Sequence, residues 1–224
     1  MVSESRRVPR DRVAWSTRGV MVAVMSEGES AERRLLLAGV AAPAVWLLGA
    51  LSVSLLEQDF MARLGWDVWP SGLALGPIGA AQVCVFLVFS LLLVRHATAL
   101  ARLDLSRPGR LGARILLAGA GVSVCLAFLT DPPGDAMTWH GALHAVGYVA
   151  MMLGVLVSLV LVLPGAARRA RSADWRRAAL AVVLIVPAWA MPTATGRSGY
   201  LFFAVPFTAL AMQALLLSRV RPGR

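Results

Sequence analysis

The chain has 224 residues, 58% of them hydrophobic, and a formal charge of +10. A soluble domain is ordinarily about 45–50% apolar, so this composition with long uncharged runs describes a membrane protein in one bundle and excludes a separate soluble domain. Nucleic-acid binding is excluded too: all 22 basic residues are arginines, and they gather between the apolar runs, where they set topology and meet anionic lipid headgroups.

Residues 1–34 are polar, with seven arginines and five acids. This segment is too long and too mixed for a signal-peptide n-region, and no A-x-A site closes the next apolar run. It reads as a cytoplasmic, disordered segment. Met25 offers a second start, which would make residues 1–24 an extension or a tail.

Six apolar runs follow, at 35–56, 72–94, 112–130, 141–163, 178–194 and 199–218. Each approaches the ~20 residues a helix needs to cross a bilayer. The fifth carries Pro187 and Pro192 and is expected to cross with a kink. Glycines and alanines in the second, third and fourth runs (Gly72, Gly76, Gly79, Ala80; Ala118–Gly121; Gly147, Gly154) read as helix-packing positions, since small residues let helices approach closely in lipid. Cys84 and Cys125 fall mid-run, match no redox or zinc motif and read as packing residues.

Arginine counts orient the bundle. The N-terminal segment has seven, the connection 95–111 four, residues 164–177 five and the tail three. The alternate connections hold Arg63, none and Arg197. The expected fold class is therefore all-α: an integral membrane bundle of six transmembrane helices over 35–218, with both termini (1–34 and 219–224) cytoplasmic. Connections 57–71, 131–140 and 195–198 face outward in the cytoplasmic membrane. Trp66, Trp69 and Trp139 then form an outer aromatic belt, with Trp139 also a candidate ligand contact. His96, beside Arg95, reads as solvated at the cytoplasmic boundary.

This topology gathers Glu57, Asp59, Asp131, His140, His144 and Arg197 at the outer side. Asp131 ends the third run and precedes Pro132-Pro133, which stop the helix. An acid at the edge of hydrocarbon is costly, which makes it a functional candidate. Asp135 or Thr138 can cap the fourth span. His140 and His144 open that span four residues apart, so their rings share one helix face. That is the spacing by which two helical histidines bind one metal ion. Zinc on Asp131, His140 and His144 would need water to complete an open site. Glu57 or Asp59 would then be the general base. A hydrogen-bonded or proton-linked cluster without metal is the favoured reading of the same residues, and zinc is the alternative. Gly141 stands where metalloprotease motifs carry Glu. Arg197 either pairs with an outer acid or binds an anionic headgroup.

The FLTDP ending of the third run, the HGALH opening of the fourth, and SLLEQDF with Gly65-Trp66 in the first outer connection resemble the bacterial membrane proteins catalogued as domain of unknown function 998. The resemblance covers roughly residues 35–218 and implies the six-span plan and the importance of Asp131, His140 and His144. It implies no activity. More distantly, Asp and His at helix ends are similar to the zinc sites of membrane hydrolases of the alkaline-ceramidase and adiponectin-receptor type. This chain differs from those in having six runs rather than seven and no C-terminal HxxxH.

Three functions are compatible with this reading. One is a non-catalytic sensing, coupling or partner role, favoured because mid-span polar groups are few, Gln82 and Gln213 being the main ones. Another is a zinc-dependent hydrolase of a lipid or amphiphile. The last is a metal-free enzyme using a protonated carboxyl on a polyprenyl-type substrate.

Overall fold

The computed structural model describes residues 11–64, 70–132, 134–169, 173, 175–176 and 199–219, with residues 11–29 described by backbone alone. Two units are distinguished, Met1–Arg34 and Leu35–Arg224; the packing and the site below belong to the second. All regular structure among the described residues is helical: α1 (Asp11–Leu56), α2 (Gln58–Leu64), a 3₁₀ turn (Pro70–Leu75), α3 (Gly79–Arg102), α4 (Arg107–Val122), a second 3₁₀ turn (Ser123–Ala127), α5 (Trp139–Arg169) and α6 (Gly199–Leu217).

Among the described residues, four helical segments are long and apolar enough to cross a membrane: Ser30–Leu56, Gly79–Arg102, Arg107–Ala127 and Trp139–Arg168. Phe202–Leu217 is a shorter apolar helix. The expected fifth span, 178–194, lies outside the described residues, as does Arg197. The bundle surface is itself apolar. On α5, Val146, Val149, Leu153, Leu156 and Val160 recur at helical spacing and are all exposed. Water-facing helices do not carry such a stripe, and lipid-facing helices do.

Two boundaries differ from the sequence expectation. α1 starts at Asp11 rather than at 35, inside the polar N-terminal segment, and runs on through Pro43 to Leu56. The second span starts at Gly79 rather than 72 and runs on to Arg102. Residues Pro70–Leu75 wind as a 3₁₀ turn instead, and the Glu57 side chain takes the Ile78 N–H, fixing where α3 begins.

Small residues set the packing. A Cβ on Gly119 would collide with the backbone carbonyl of Ala150, and Gly154 lies against Gly119 and Leu116. Gly112 faces Leu161 and Ser158, and Gly147 faces Cys125 and Leu126. α4 and α5 therefore pack backbone to backbone along a row of glycines, the close approach that substitutes for hydrophobic drive in lipid. At the centre of the bundle Trp46 of α1 meets Tyr200, Phe203 and Phe207 of α6 at ring separations of 5.7, 4.4 and 5.4 Å. Phe207 also stacks on Phe89 of α3 at 5.3 Å. Buried polar groups are joined across helices: Ser90 Oγ donates to the Ser123 carbonyl (3.0 Å) and Gln213 Nε2 to Ser158 Oγ (3.3 Å).

His96 is a correction. It is fully buried, not solvated. Its Nδ1 bonds the Leu36 carbonyl at 2.9 Å, and the ring fills the space left by the missing side chain of Gly39. Adjacency to Arg95 said nothing about this, since neighbours on a helix point about 100° apart.

Candidate functional site

The site begins with the way the third span ends. After Val122 the helix tightens into the 3₁₀ turn Ser123–Ala127, and Phe128 is already extended (φ −72°, ψ 148°). The carbonyls of Phe128 and Leu129 thus lie beyond any intrahelical donor. Unpaired carbonyls at the edge of hydrocarbon are costly. The two histidines satisfy them. His144 Nδ1 lies 2.8 Å from the Phe128 carbonyl and His140 Nδ1 lies 3.0 Å from that of Leu129. Their spacing on α5 matches the successive carbonyls of a chain running off the end of its neighbour.

Thr138 is the hub of the outer layer. As the N-cap of α5 its Oγ1 accepts from the Gly141 N–H at 3.2 Å. The same hydroxyl donates to Asp131 Oδ1 at 2.6 Å, while the Thr138 N–H donates to Asp131 Oδ2 at 2.8 Å. Both carboxylate oxygens are thereby engaged, and the anion sits at the positive end of α5. Gly141 makes this approach feasible: a Cβ there would occupy the position of Asp131 Oδ2. Gly134 returns the loop with φ 89°, a conformation that suits glycine, and Asp135 N–H closes the turn onto the Pro132 carbonyl at 3.2 Å.

These bonds fix the tautomers. A carboxylate only accepts, so the single Thr138 hydroxyl proton goes to Asp131. Thr138 Oγ1, 2.9 Å from His140 Nδ1, therefore accepts from it. A carbonyl likewise only accepts, so Nδ1 carries the proton in both His140 and His144. Neutral rings then keep their lone pair on Nε2. His140 Nδ1 is also 3.8 Å from Asp131 Oδ1, too far for a direct hydrogen bond.

The Thr138 hydroxyl and then the Thr138 amide hold the Asp131 carboxyl below the ordinary carboxylate range; desolvation opposes this, and the His140 ring adds to it when protonated. A depressed folded-state pKa means stabilisation that is present above the ordinary value of 3.8 and lost as pH falls through the folded value. The cap therefore holds at neutral and mildly acid pH.

The other candidates are placed as follows. Trp139 is exposed and stands edge-on to Phe128 and His140 at 5.7 and 5.5 Å. Glu57 is buried at 5% exposure and caps the start of α3, with Oε1 accepting from Ile78 N–H at 2.6 Å. Its Oε2 lies against Gly76 and has no hydrogen-bond partner. Asp59 is exposed in the first turn of α2. Among the described residues no group of three or more His, Cys, Asp or Glu side chains is arranged to share a metal ion. The structure thus joins Asp131 to His140 through Thr138 and sets His144 on the neighbouring carbonyl.

His144 has a second role. It lines an apolar cavity of about 290 Å³ with Trp46, Phe86, Tyr148, Met151 and Phe203. Sequence reasoning missed these rings and the hub role of Thr138. Its capping position was visible in the sequence, but its carboxylate partner was not. Tyr148, one turn after His144, was the available hint of a lined wall. No family model, curated protein or solved structure matches the chain.

Proposed function

We propose that this chain is a six-span protein of the cytoplasmic membrane, with both termini inside, whose outward-facing end senses a small amphiphilic ligand without turning it over. One observation carries this reading: both oxygens of the Asp131 carboxylate and the Nδ1–H of each histidine are committed to holding the loop. Both Asp131 oxygens are engaged by Thr138, and both histidine Nδ1 atoms by backbone carbonyls. A general acid is poorly served by a carboxyl held in its ionised form, which counts against acid catalysis on a polyprenyl substrate. His144, shared by the cap and the cavity wall, links ligand occupancy to the cap. The resemblance to domain of unknown function 998 proteins, resting on FLTDP and HGALH, fits this plan, and the cytoplasmic arginines would meet anionic headgroups.

Topology is tested by cysteine labelling after Cys84 and Cys125 are replaced by alanine. Met137→Cys, at a position 74% exposed, should react with a membrane-impermeant maleimide in intact cells. Ala173→Cys should react only after permeabilisation. The reverse pattern refutes the outward-facing site.

The zinc-hydrolase reading has one observation in its favour. Zinc-binding imidazoles usually donate their other N–H to a carbonyl or carboxylate, and both histidines do so while leaving Nε2 available. Each Asp131 oxygen already accepts one hydrogen bond from Thr138 and keeps a second lone pair with which it could meet an ion. Metal content decides between the two readings. Protein purified without chelator should contain well under one zinc per chain, unchanged by His140→Ala with His144→Ala. Stoichiometric zinc lost in that double variant would establish the metal site and overturn the sensing proposal.

A further inference from the structure

We propose that the cavity beside His144 takes a neutral medium-chain alcohol, its apolar body between the rings and its hydroxyl donating to His144 Nε2. This rests on the reading of the outer end as a ligand-sensing site and names the class of ligand.

The wall decides the class. No charged side chain lines the cavity, so a charged headgroup seated against its wall would find no counterion there. The rings of Trp46, Phe86, Tyr148 and Phe203 offer an apolar, aromatic lining from α1, α3, α5 and α6. The volume of about 290 Å³ is at the small end of ligand sites, which run from roughly 300 to 1,000 Å³. From His144 to Met151 the wall follows about two turns of α5, on the order of 10 Å. That accommodates one medium-length chain rather than a diacyl lipid.

The polar requirement comes from His144, which is 6% exposed. Its Nδ1–H goes to the Phe128 carbonyl, with the Leu126 carbonyl also close to the ring, so the atom left to bond a ligand, Nε2, is an acceptor. An alcohol O–H satisfies it. An ether, ketone or ester has no proton to give, and a carboxylate is both charged and acceptor-only. Ser71 and Tyr148, also on the wall, can donate to the alcohol oxygen in return.

The test uses the full chain in lipid nanodiscs and a diazirine-bearing decanol, with adducts mapped by peptide mass spectrometry. Adducts should concentrate at Tyr148 and Met151 and be displaced by decanol. Decyl methyl ether keeps the chain but cannot donate, and should compete about two- to tenfold less well, the worth of one net hydrogen bond. His144→Phe should abolish that difference, and Met151→Trp should displace the adducts by filling the space. Adducts spread over lipid-facing Val149 and Leu153 without displacement would overturn the proposal, as would equal competition by the ether or by decanoate. Both readouts are made on the wild-type protein, so poor folding of a variant does not blunt them. Specific labelling alongside a reversed maleimide pattern would keep the cavity assignment and discard the outward-facing reading.

Discussion

Gly119→Ala should markedly destabilise the bundle, whereas Gly121→Ala, two residues along the same helix, should not. The added methyl at Gly119 meets the backbone carbonyl of Ala150, while at Gly121 it meets nothing within 4 Å. A carbonyl in a helix cannot rotate aside, so α4 and α5 must separate. Overpacking of this kind typically costs about 1–3 kcal/mol, and separation also loosens the contacts at Gly112 and Gly154. At Gly121 the substitution only improves helix propensity, by up to ~1 kcal/mol. In thermal unfolding of the purified protein, a chain of this size moves about 2–4 °C per kcal/mol. Gly119→Ala should fall by several degrees and Gly119→Leu should fail to accumulate as folded protein. If Gly119→Ala melted with Gly121→Ala, α4 and α5 would not pack as described.

The second large effect is local. Gly141→Ala places a methyl where Asp131 Oδ2 lies, and here the obstacle is a side chain that can move. The carboxylate should swing away, losing the Thr138 amide and hydroxyl together, so the loop 128–138 opens while the bundle survives. Amide exchange at Thr138 reads this directly: it should rise toward that of a free loop in Gly141→Ala and in Asp131→Asn, with little change in melting temperature. Wild type should reach the same state only in acid, below the ordinary carboxylate value of 3.8, and the two variants should lose that acid transition. Protection at Thr138 that survived in Asp131→Asn would mean that the carboxylate does not hold the cap.

The contrast between these glycines shows where sequence reasoning stops. Gly147 and Gly154 were readable as packing positions because helix periodicity puts them on one face. Gly141 was readable only as the absence of a metalloprotease Glu. Its reason, room for a carboxylate ten residues upstream, depends on a loop folding back. The histidine pair follows the same pattern. Their shared face was evident from the spacing, which left a hydrogen-bonded cluster, the favoured reading, and a metal site both open. The partners that the structure supplies are carbonyls, and carbonyls belong to every residue, so no residue type announces them. His96 erred in the opposite direction, since burial depends on which helix lies opposite.

Local physics determined the apolar runs, the capping threonine, the proline stop after Asp131 and the asymmetry of the arginines. Each depends on residues within a few positions of one another or on the thickness of a bilayer. Tertiary structure decided the rest: that Thr138 joins Asp131 to His140, that Glu57 starts α3, and that Trp46 and Phe203 wall a cavity with His144. These contacts join groups up to some 150 residues apart, or depend on where a chain leaving one helix meets the start of the next. Periodicity specifies which face a residue occupies; only the packed bundle specifies what that face touches.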